Sequence, residues 1–423
     1  MEKNFDDNKN HSRSIIDYLI IVWFGLMGAD RIDLFCGDGY FIFTPFLSLS
    51  LILVFFLFFL FLYKESSSFS FNIKKNNFLY IVLLNLFLIL TLNSIIFGAD
   101  VGLGLKRFFL LCFIILFNLI ILSEIKKSPK KKRLIVIGAM FGIIIGILFS
   151  ISELIAWTSG NLGDLGFINI KSHSIGSFFP RLSGMSKDPN RGGLLFVIFS
   201  FFLLQAAPKT KFRNILLFLA SVFTFLTLSR SAIASLIIMW GSILLKNLKV
   251  KMPSLRTSRN IIVVTVVLVL VGLNLFNNVY FETALDVEKA FGERLSLSGE
   301  TSGGYHFELV KRGFEVSFDD FKNFFFGIGF GSSYTVLDDF FGGHKYGNFH
   351  SLFISILVET GIFAFMIFTF LLIYPILYSK KYIPLLLTLI FFNIFYQLTL
   401  EPIFWFCLFI IWNNINLKEL SKE

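Results

Sequence analysis

The chain has 423 residues and a net charge of +10; 55% of the residues are hydrophobic, 58 are Phe, and the mean hydropathy is +0.76. Soluble domains contain about 45–50% apolar residues, so this composition excludes an ordinary soluble enzyme and indicates a polytopic membrane protein. The positive charge does not indicate nucleic-acid binding, because the basic residues lie in short loops where they orient spans and meet anionic lipid headgroups.

Apolar runs of about 15–25 residues recur along the whole chain, and each can cross a hydrocarbon core of roughly 30 Å. They predict an all-α polytopic integral membrane protein with about 12 transmembrane helices. Asp30, Arg31 and Asp33 follow the first run without a small-residue cleavage site, so we expect a retained helix rather than a signal peptide. The predicted spans are 15–28, 41–63, 78–97, 108–123, 134–157, 193–207, 214–228, 231–245, 261–277, 351–378, 383–398 and 402–415.

Charge in the loops predicts the orientation of these spans. Lys and Arg gather in four loops that are nearly free of acidic residues, at 123–133, 208–214, 246–260 and 379–381. Cytoplasmic loops carry such an excess, so we place these loops and both chain ends in the cytoplasm. Two large loops then lie outside, and the second carries eleven acidic residues against six Lys and Arg.

The predicted organisation has five parts. These are N-terminal transmembrane helices at 1–157, a first external loop at 158–192, central transmembrane helices at 193–277, a large external loop between the ninth and tenth spans at 278–350, and C-terminal transmembrane helices with a short cytoplasmic tail at 351–423.

Metal and nucleotide chemistry have no motif to support them. The cysteines, Cys36, Cys112 and Cys407, lie far apart, and the five histidines show no His-Glu-x-x-His spacing. No phosphate-binding Gly-x-x-x-x-Gly-Lys-Ser/Thr loop and no Gly-x-Ser-x-Gly turn occurs. We therefore predict that the protein uses no metal and no cofactor.

The first polar motif, RLSGMSKDPNRGG, lies between two apolar runs at residues 181–193. Its Asp-Pro-Asn turn favours a helix start near Gly193, with Asp188 or Asn190 as the capping residue. Arg181 and Arg191 lie on the predicted external side, where charge bias gives no reason for arginine. They are either solvated loop charges or ligands for an anion.

Two further motifs place polar residues beside apolar runs. In FLTLSRSAIASLI, Arg230 lies at the external end of a tight helical hairpin, where it either reaches lipid headgroups or binds an anion through paired donors. The Gly-rich run FFFGIGFGSS is weak evidence for a ligand loop by itself. His350, at the start of the tenth span, is either a structural hydrogen-bonding group or one that orients or deprotonates a hydroxyl.

Together these motifs resemble one family, the O-antigen polymerases and O-antigen ligases of bacterial envelopes. RLSGMSKDPN is similar to the family's Arg-x-Ser-Gly…Asp-Pro-Asn stretch, and TLSRSAIASL is similar to its Ser-Arg-Ser/Gly hairpin. FFGIGFG followed by HSLFISILVETGIF resembles its Gly-x-Gly loop, His-Asn and Glu-x-Gly. The resemblance covers about 181–361 and agrees in order and spacing.

The resemblance implies a metal-independent glycosyltransferase of the bacterial inner membrane, whose active site faces the periplasm. Its donor is a glycan linked to undecaprenyl diphosphate, and neither metal nor nucleotide takes part. By the same resemblance, Arg230 and His350 are catalytic, while Arg181 and the turn at Asp188, Pro189 and Asn190 contact the diphosphate or glycan. Arg191, beside this turn, is a further candidate for that contact.

Two departures from the family pattern affect these assignments. Ser351 stands where the family usually has Asn, and the stretch TSGGYHFELVKRG lacks the expected second arginine after Ser-Gly. The second phosphate-binding cation therefore stays open among His306, Lys311, Arg312 and Arg294, of which we expect His306 and Arg312 to contact substrate.

Three functions compete. We favour an O-antigen polymerase, which joins lipid-linked repeat units, because RLSGMSKDPN resembles that branch more closely. The alternative is an O-antigen ligase, which transfers the lipid-linked glycan to lipid A-core. A transporter of anionic glycan or lipid is more remote, because charges within the spans are scarce. Implied partners are the lipid-linked oligosaccharide, membrane lipid, a chain-length regulator protein and a flippase.

Overall fold

The computed structural model describes residues 14–32, 45–63, 75–159, 173–175, 179–247, 302–345 and 347–413. Over these ranges the regular secondary structure is helical apart from one short antiparallel hairpin, in which β1 (His173–Ile175) pairs with β2 (Phe179–Arg181). Helices precede the hairpin at α1 (Ile15–Gly25), α2 (Pro45–Tyr63), α3 (Lys75–Ile96), α4 (Val101–Lys126) and α5 (Pro129–Ser159). After it come α6 (Pro189–Ala206), α7 (Lys211–Leu226), α8 (Arg230–Asn247), α9 (Ser302–Asp319), α10 (Phe321–Phe326), α11 (Asp338–Phe341), α12 (Leu352–Ile373), α13 (Ile383–Ile394) and α14 (Pro402–Trp412).

The helices agree with an all-α membrane protein. Within the residues that the structure describes, five segments are long and apolar enough to cross a membrane, namely Phe78–Ile96, Val101–Lys126, Pro129–Ser159, Pro189–Ala206 and Leu352–Leu377. Shorter apolar helices occur at Ile15–Gly25, Pro45–Phe58, Arg230–Leu244 and Pro402–Trp412. A helix lies in each predicted span except the ninth, 261–277, which is outside the described residues. The total of twelve spans stays a prediction.

Side-chain caps set several helix starts. The carboxylate of Asp188 accepts hydrogen bonds from the backbone N–H groups of Asn190 (2.6 Å) and Arg191 (3.3 Å). Pro189 occupies the first helical position, where its fixed φ suits a helix and its missing N–H costs nothing. The helix therefore begins at Pro189, four residues before the predicted start near Gly193, and Asp188 is the cap.

Two of the basic loops lie at one end of the helical bundle, and the ion pairs of Arg191 lie at the opposite end. Lys126, at the end of α4, contacts Asn413 at the end of α14, and Ser379 donates to the Ile411 carbonyl at 2.8 Å. The basic loops near 123–133 and 379–381 thus share one end. Arg191, Asp30 and Glu401 meet at the other. This separation fits the predicted topology, while the side of the membrane on which each end lies stays a prediction.

Helix α6 is largely buried, and α5 presents it with glycines instead of larger side chains. Gly142 and Gly146 are spaced by four residues, and a Cβ at either position would meet the rings of Phe199 (2.6 Å) and Phe196 (2.9 Å) respectively. Small residues at this spacing let transmembrane helices approach closely. The packing fixes the loop that leads into α6 relative to α1 and α5.

Helix α12 is interrupted at Gly361, whose φ is 77°. The break leaves two carbonyls without helical partners, and the loop after α10 supplies donors. The N–H of Ile328 bonds to the Val358 carbonyl at 2.9 Å, and the N–H of Gly329 to the Glu359 carbonyl at 3.1 Å. The Gly-rich loop is thereby fixed against the same helix that His350 precedes.

Candidate active site

The loop 181–190 is held from behind by a buried ion pair. Arg31 and Glu153 contact each other with side chains that are 0% exposed. The Glu153 carboxylate accepts hydrogen bonds from the N–H groups of Ser183 (2.8 Å) and Gly184 (3.1 Å). Arg31 also donates to the Ser186 carbonyl at 2.7 Å. One charge from the end of α1 and one from α5 therefore fix the backbone of this loop.

A second ion-pair network fixes the start of α6. The Arg191 guanidinium contacts the carboxylates of Asp30 and Glu401, which lie after α1 and before α14. Asp30 also accepts a hydrogen bond from the backbone N–H of Lys187 at 2.6 Å. Two carboxylates already neutralise Arg191, so the structure gives it a role in holding the loop. Its predicted contact with substrate stays a prediction.

Arg181 connects the loop at 181–190 to the turn between α7 and α8. Its guanidinium donates to the Thr227 carbonyl at 3.2 Å and lies 3.5 Å from Asn190 Oδ1. Asn190 Oδ1 also accepts a hydrogen bond from the Ser229 hydroxyl at 2.7 Å. Arg181 is 9% exposed. The loop 181–190 and the turn between α7 and α8 are therefore joined through Arg181, Asn190 and Ser229.

Arg230 is the first residue of α8 and directly follows the turn between α7 and α8. Leu228 has a φ of +51°, which is rare for a residue with a branched side chain. The turn allows Thr227 and Ser229 to bond to the loop while the chain reverses direction. The Arg230 guanidinium contributes to the lowered pKa of His306, so helices α8 and α9 bring these two groups within electrostatic range of each other.

His306 and His350 form an edge-to-face pair, with ring centroids 4.9 Å apart and planes at 87°. His350 has a φ of +49°, and its backbone N–H donates to Asn348 Oδ1 at 2.8 Å. Backbone in this region is strained for a residue other than glycine, and such strain is often found at functional sites. The Nδ1 atom of His306 is buried and has no hydrogen-bond partner in the part of the chain that the structure describes.

Both imidazoles favour their neutral form. Burial, followed by the influence of His350 and Arg230, lowers the pKa of His306 to about 4. Burial also lowers the pKa of His350, and the Asp188 carboxylate opposes that shift. A neutral imidazole can accept a hydrogen bond or a proton. His306 therefore presents a neutral imidazole, which does not support its candidacy as the second phosphate-binding cation.

Tyr396 connects Asp188, in the loop, to the start of α12, which follows His350. The Tyr396 side chain hydrogen-bonds to Asp188, and its backbone carbonyl accepts the N–H of Leu352 at 3.0 Å. Leu352 lies two residues after His350. Tyr396 therefore holds both the capping carboxylate and the start of α12, a role that the sequence did not indicate.

The other candidates for the second cation lie apart from this cluster. Arg312 and Lys311 are on the exposed side of α9, where they pair with Glu315 at 3.6 Å and 3.8 Å. Arg294 is outside the described residues. Arg312 thus keeps its predicted substrate contact only as a prediction, whereas Arg230 lies within electrostatic range of His306.

Glu359 lies on α12, and its side chain is bound to the loop at 331–333. Its carboxylate contacts the Ser333 hydroxyl and accepts backbone hydrogen bonds from the loop at 331–333. These bonds give Glu359 a role in fixing the loop at 331–333 against α12. Within the described ranges, no three His, Cys, Asp or Glu residues are grouped so that they could hold a metal ion. Metal independence stays a prediction.

Residues 215–369 match the protein-family model described as O-Antigen ligase. The match confirms the resemblance to O-antigen polymerases and ligases that the sequence motifs indicated. Arg230, His306 and His350 lie within the matched range, and Arg181 precedes it. No curated protein matches the chain.

Proposed function

We propose that the protein is an O-antigen polymerase, which joins oligosaccharide repeat units linked to undecaprenyl diphosphate at the periplasmic face of the inner membrane. The observation that carries the proposal is the pair of arginines, Arg181 and Arg230, at the same end of the bundle as two neutral histidines. Arg230, His306 and His350 come from the range that matches the ligase family. A multi-pass helical protein also suits a substrate that is itself anchored in lipid.

The arginines would bind the diphosphate of the donor. During transfer, the bond between the anomeric carbon and the phosphate oxygen breaks, and its electron pair stays on the departing diphosphate. Fixed guanidinium groups stabilise that growing negative charge and form paired hydrogen bonds with phosphate oxygens. The diphosphate is a good leaving group, so the reaction needs no strong acid.

His350 would receive the acceptor sugar. Its neutral imidazole can accept a hydrogen bond from the attacking hydroxyl and take up the proton as the new glycosidic bond forms. The carboxylate of Asp188 favours the resulting imidazolium, because it raises the proton affinity of His350. His306 Nδ1, buried and without a described partner, is suited to accept a hydrogen bond from another hydroxyl of the sugar.

The choice of polymerase over ligase depends on the RLSGMSKDPN stretch, which resembles the polymerase branch more closely. The two enzymes share the donor and differ in the acceptor. A polymerase would use a second lipid-linked repeat unit, and a ligase would use lipid A-core.

An assay of the purified protein in lipid nanodiscs separates these functions. With a polyprenyl-diphosphate-linked repeat unit alone, we expect a ladder of longer glycans that EDTA leaves unchanged. Product that appears only after addition of lipid A-core would instead identify a ligase. Movement of the intact lipid-linked unit across a vesicle membrane, without bond formation, would identify a transporter. Arg213→Ala, at the opposite end of the bundle, is the matched control and should retain the ladder.

A further inference from the structure

Helix α9 has three different faces. The inward face carries Leu309 and Gly313, and a Cβ on Gly313 would meet the Phe349 ring at 3.2 Å. A second flank carries Phe307, Phe314 and Phe318, which are 72%, 46% and 62% exposed. The third flank is charged and exposed, with Glu308, Lys311, Glu315 and Asp319. An ordinary surface helix has only an apolar and a polar face, so the exposed Phe flank requires an explanation.

The Phe flank continues onto an apolar helix that can cross the membrane. Phe321, on α10, is 83% exposed and extends the row. Phe363 lies on α12, within the candidate span Leu352–Leu377, and is 50% exposed. Neighbouring ring centroids along the row are 5.0–6.4 Å apart, at Phe314, Phe318, Phe324, Phe325 and Phe363.

We propose that α9 and α10 lie in the surface layer of the bilayer, with the Phe flank in contact with lipid hydrocarbon and the charged flank in water. A helix whose aromatic and charged flanks adjoin is suited to the boundary between acyl chains and headgroups. The row is continuous with the exposed surface of α12, where Phe363, Met366 and Phe370 are 43–60% exposed. Lipid that surrounds α12 would therefore also cover this row.

The single-file shape of the row favours lipid over a protein partner. Three Phe side chains along one flank, bordered by Lys311 and Glu315, offer a narrow strip, whereas stable protein interfaces bury about 800 Å² on each partner. Lipid needs no such area, because the bilayer already covers the adjoining span.

Insertion of α9 would fix the depth of the histidine pair relative to the membrane surface. His306 lies on α9 beside Phe307, so insertion of the Phe flank would hold His306 and His350 at the level of the headgroups. The diphosphate of a lipid-anchored substrate lies at that level. This consequence depends on the proposed function, whereas the insertion of α9 does not.

Spin labels on adjacent residues test the proposal. In a background with Cys36, Cys112 and Cys407 replaced by Ala, Phe314→Cys and Glu315→Cys are labelled with a nitroxide and reconstituted in phosphatidylethanolamine–phosphatidylglycerol vesicles. The two positions are matched, since Phe314 is 46% exposed and the Glu315 side chain 49%. We expect oxygen, which enters lipid, to relax the label at 314 more than a water-soluble nickel chelate does, and the reverse order at 315.

Three results would overturn the proposal. Equal access of the nickel chelate to both labels would place the Phe flank in water. Loss of access for both reagents at 314 alone would indicate contact with a second protein copy. A preference for oxygen that arises only after addition of polyprenyl diphosphate would assign the flank to that tail. Phe318→Cys and Asp319→Cys form a second matched pair if the first does not fold, and no measurement depends on glycosyl transfer.

Discussion

Arg181 and Arg191 come from the same 13-residue stretch, yet their surroundings differ. Arg191 contacts the carboxylates of Asp30 and Glu401. Two hydrogen bonds of Arg181 lead instead to Thr227, in the turn between α7 and α8, and to Asn190 at the start of α6. Arg191 therefore connects the ends of α1 and α14, whereas Arg181 connects the loop to the turn that precedes Arg230. The comparison separates the anchor of the loop, formed by Arg31, Asp30, Glu153, Arg191 and Glu401, from a candidate site formed by Arg181, Asn190, Arg230, His306 and His350.

The strongest test of this separation replaces two arginines of the candidate site and one of the anchor, each in a separate variant. We expect Arg181→Ala and Arg230→Ala to lower turnover by about 10²–10³-fold, because each removes donors to the departing diphosphate. Arg191→Ala should mainly lower the amount of folded protein. Turnover is measured as glycan formed per molecule of monodisperse protein after size-exclusion chromatography.

Lysine variants sharpen the same test. Arg230→Lys should lose much of the activity if paired donors hold phosphate oxygens, because an ammonium cannot form the same bidentate contact. Full activity of Arg230→Lys would favour the alternative in which Arg230 only reaches lipid headgroups. An Arg191→Ala variant that stays folded but is inactive would remove the distinction between the two sets.

His350 belongs to the candidate site, so its loss should affect turnover rather than folding. We expect His350→Ala to lower turnover by about 10²-fold, the lower range for general acid–base catalysis, with donor binding nearly unchanged. Gln should recover part of the activity if the imidazole orients the acceptor hydroxyl, and almost none if it removes the proton. Binding is measured with labelled lipid-linked donor, and wild-type turnover in His350→Ala would exclude the residue from the site.

The anchor should show the opposite behaviour. Arg31→Met leaves the Glu153 carboxylate buried without its counter-ion, so we expect destabilisation of about 3–5 kcal/mol. Arg31→Met combined with Glu153→Leu should recover part of this loss, because no uncompensated charge is left. Thermal unfolding in detergent measures both. A single variant as stable as the wild type would contradict the anchoring role.

The smallest expected effect is a pH dependence of stability through His306. Its folded-state pKa, about 4, lies below the ordinary 6.5, so the unfolded chain binds a proton more readily. This contribution to stability is present above pH 6.5 and is lost as the pH falls toward 4. We expect His306→Gln to reduce the loss of Tm between pH 6.5 and 4.5 relative to the wild type.

Carboxylates also titrate in this pH range. The comparison therefore needs a control variant that replaces a different histidine and keeps every carboxylate. His344→Gln serves this purpose, because His344 is exposed. An equal loss of Tm in His306→Gln and the wild type would contradict the buried, neutral state of His306.

Structural features that depend on neighbouring residues, such as helices and their caps, could be predicted from the sequence. Apolar runs predicted the helices, and the Asp-Pro-Asn turn predicted either Asp188 or Asn190 as a cap, of which Asp188 is the one observed. The anchor depends on contacts between distant residues, because Arg31 and Glu153 are 122 positions apart, and a sequence does not specify which faces of two helices meet. Glu153 itself carried a usable signal, since a lone carboxylate in an apolar run requires a partner. Tyr396 carried none, because a tyrosine near a span end is common at membrane interfaces.

The interruption of α12 at Gly361 has a consequence for how this protein can be altered. Backbone groups of a membrane helix must find partners, because lipid supplies none. Here Ile328 and Gly329 donate to the carbonyls that the break releases. The segment 302–345 is therefore not an independent module on a finished transmembrane scaffold. A chimaera that exchanged residues 302–345 for those of a relative would leave α12 incomplete unless both carbonyls regained donors, so the segment and its helix must be exchanged together.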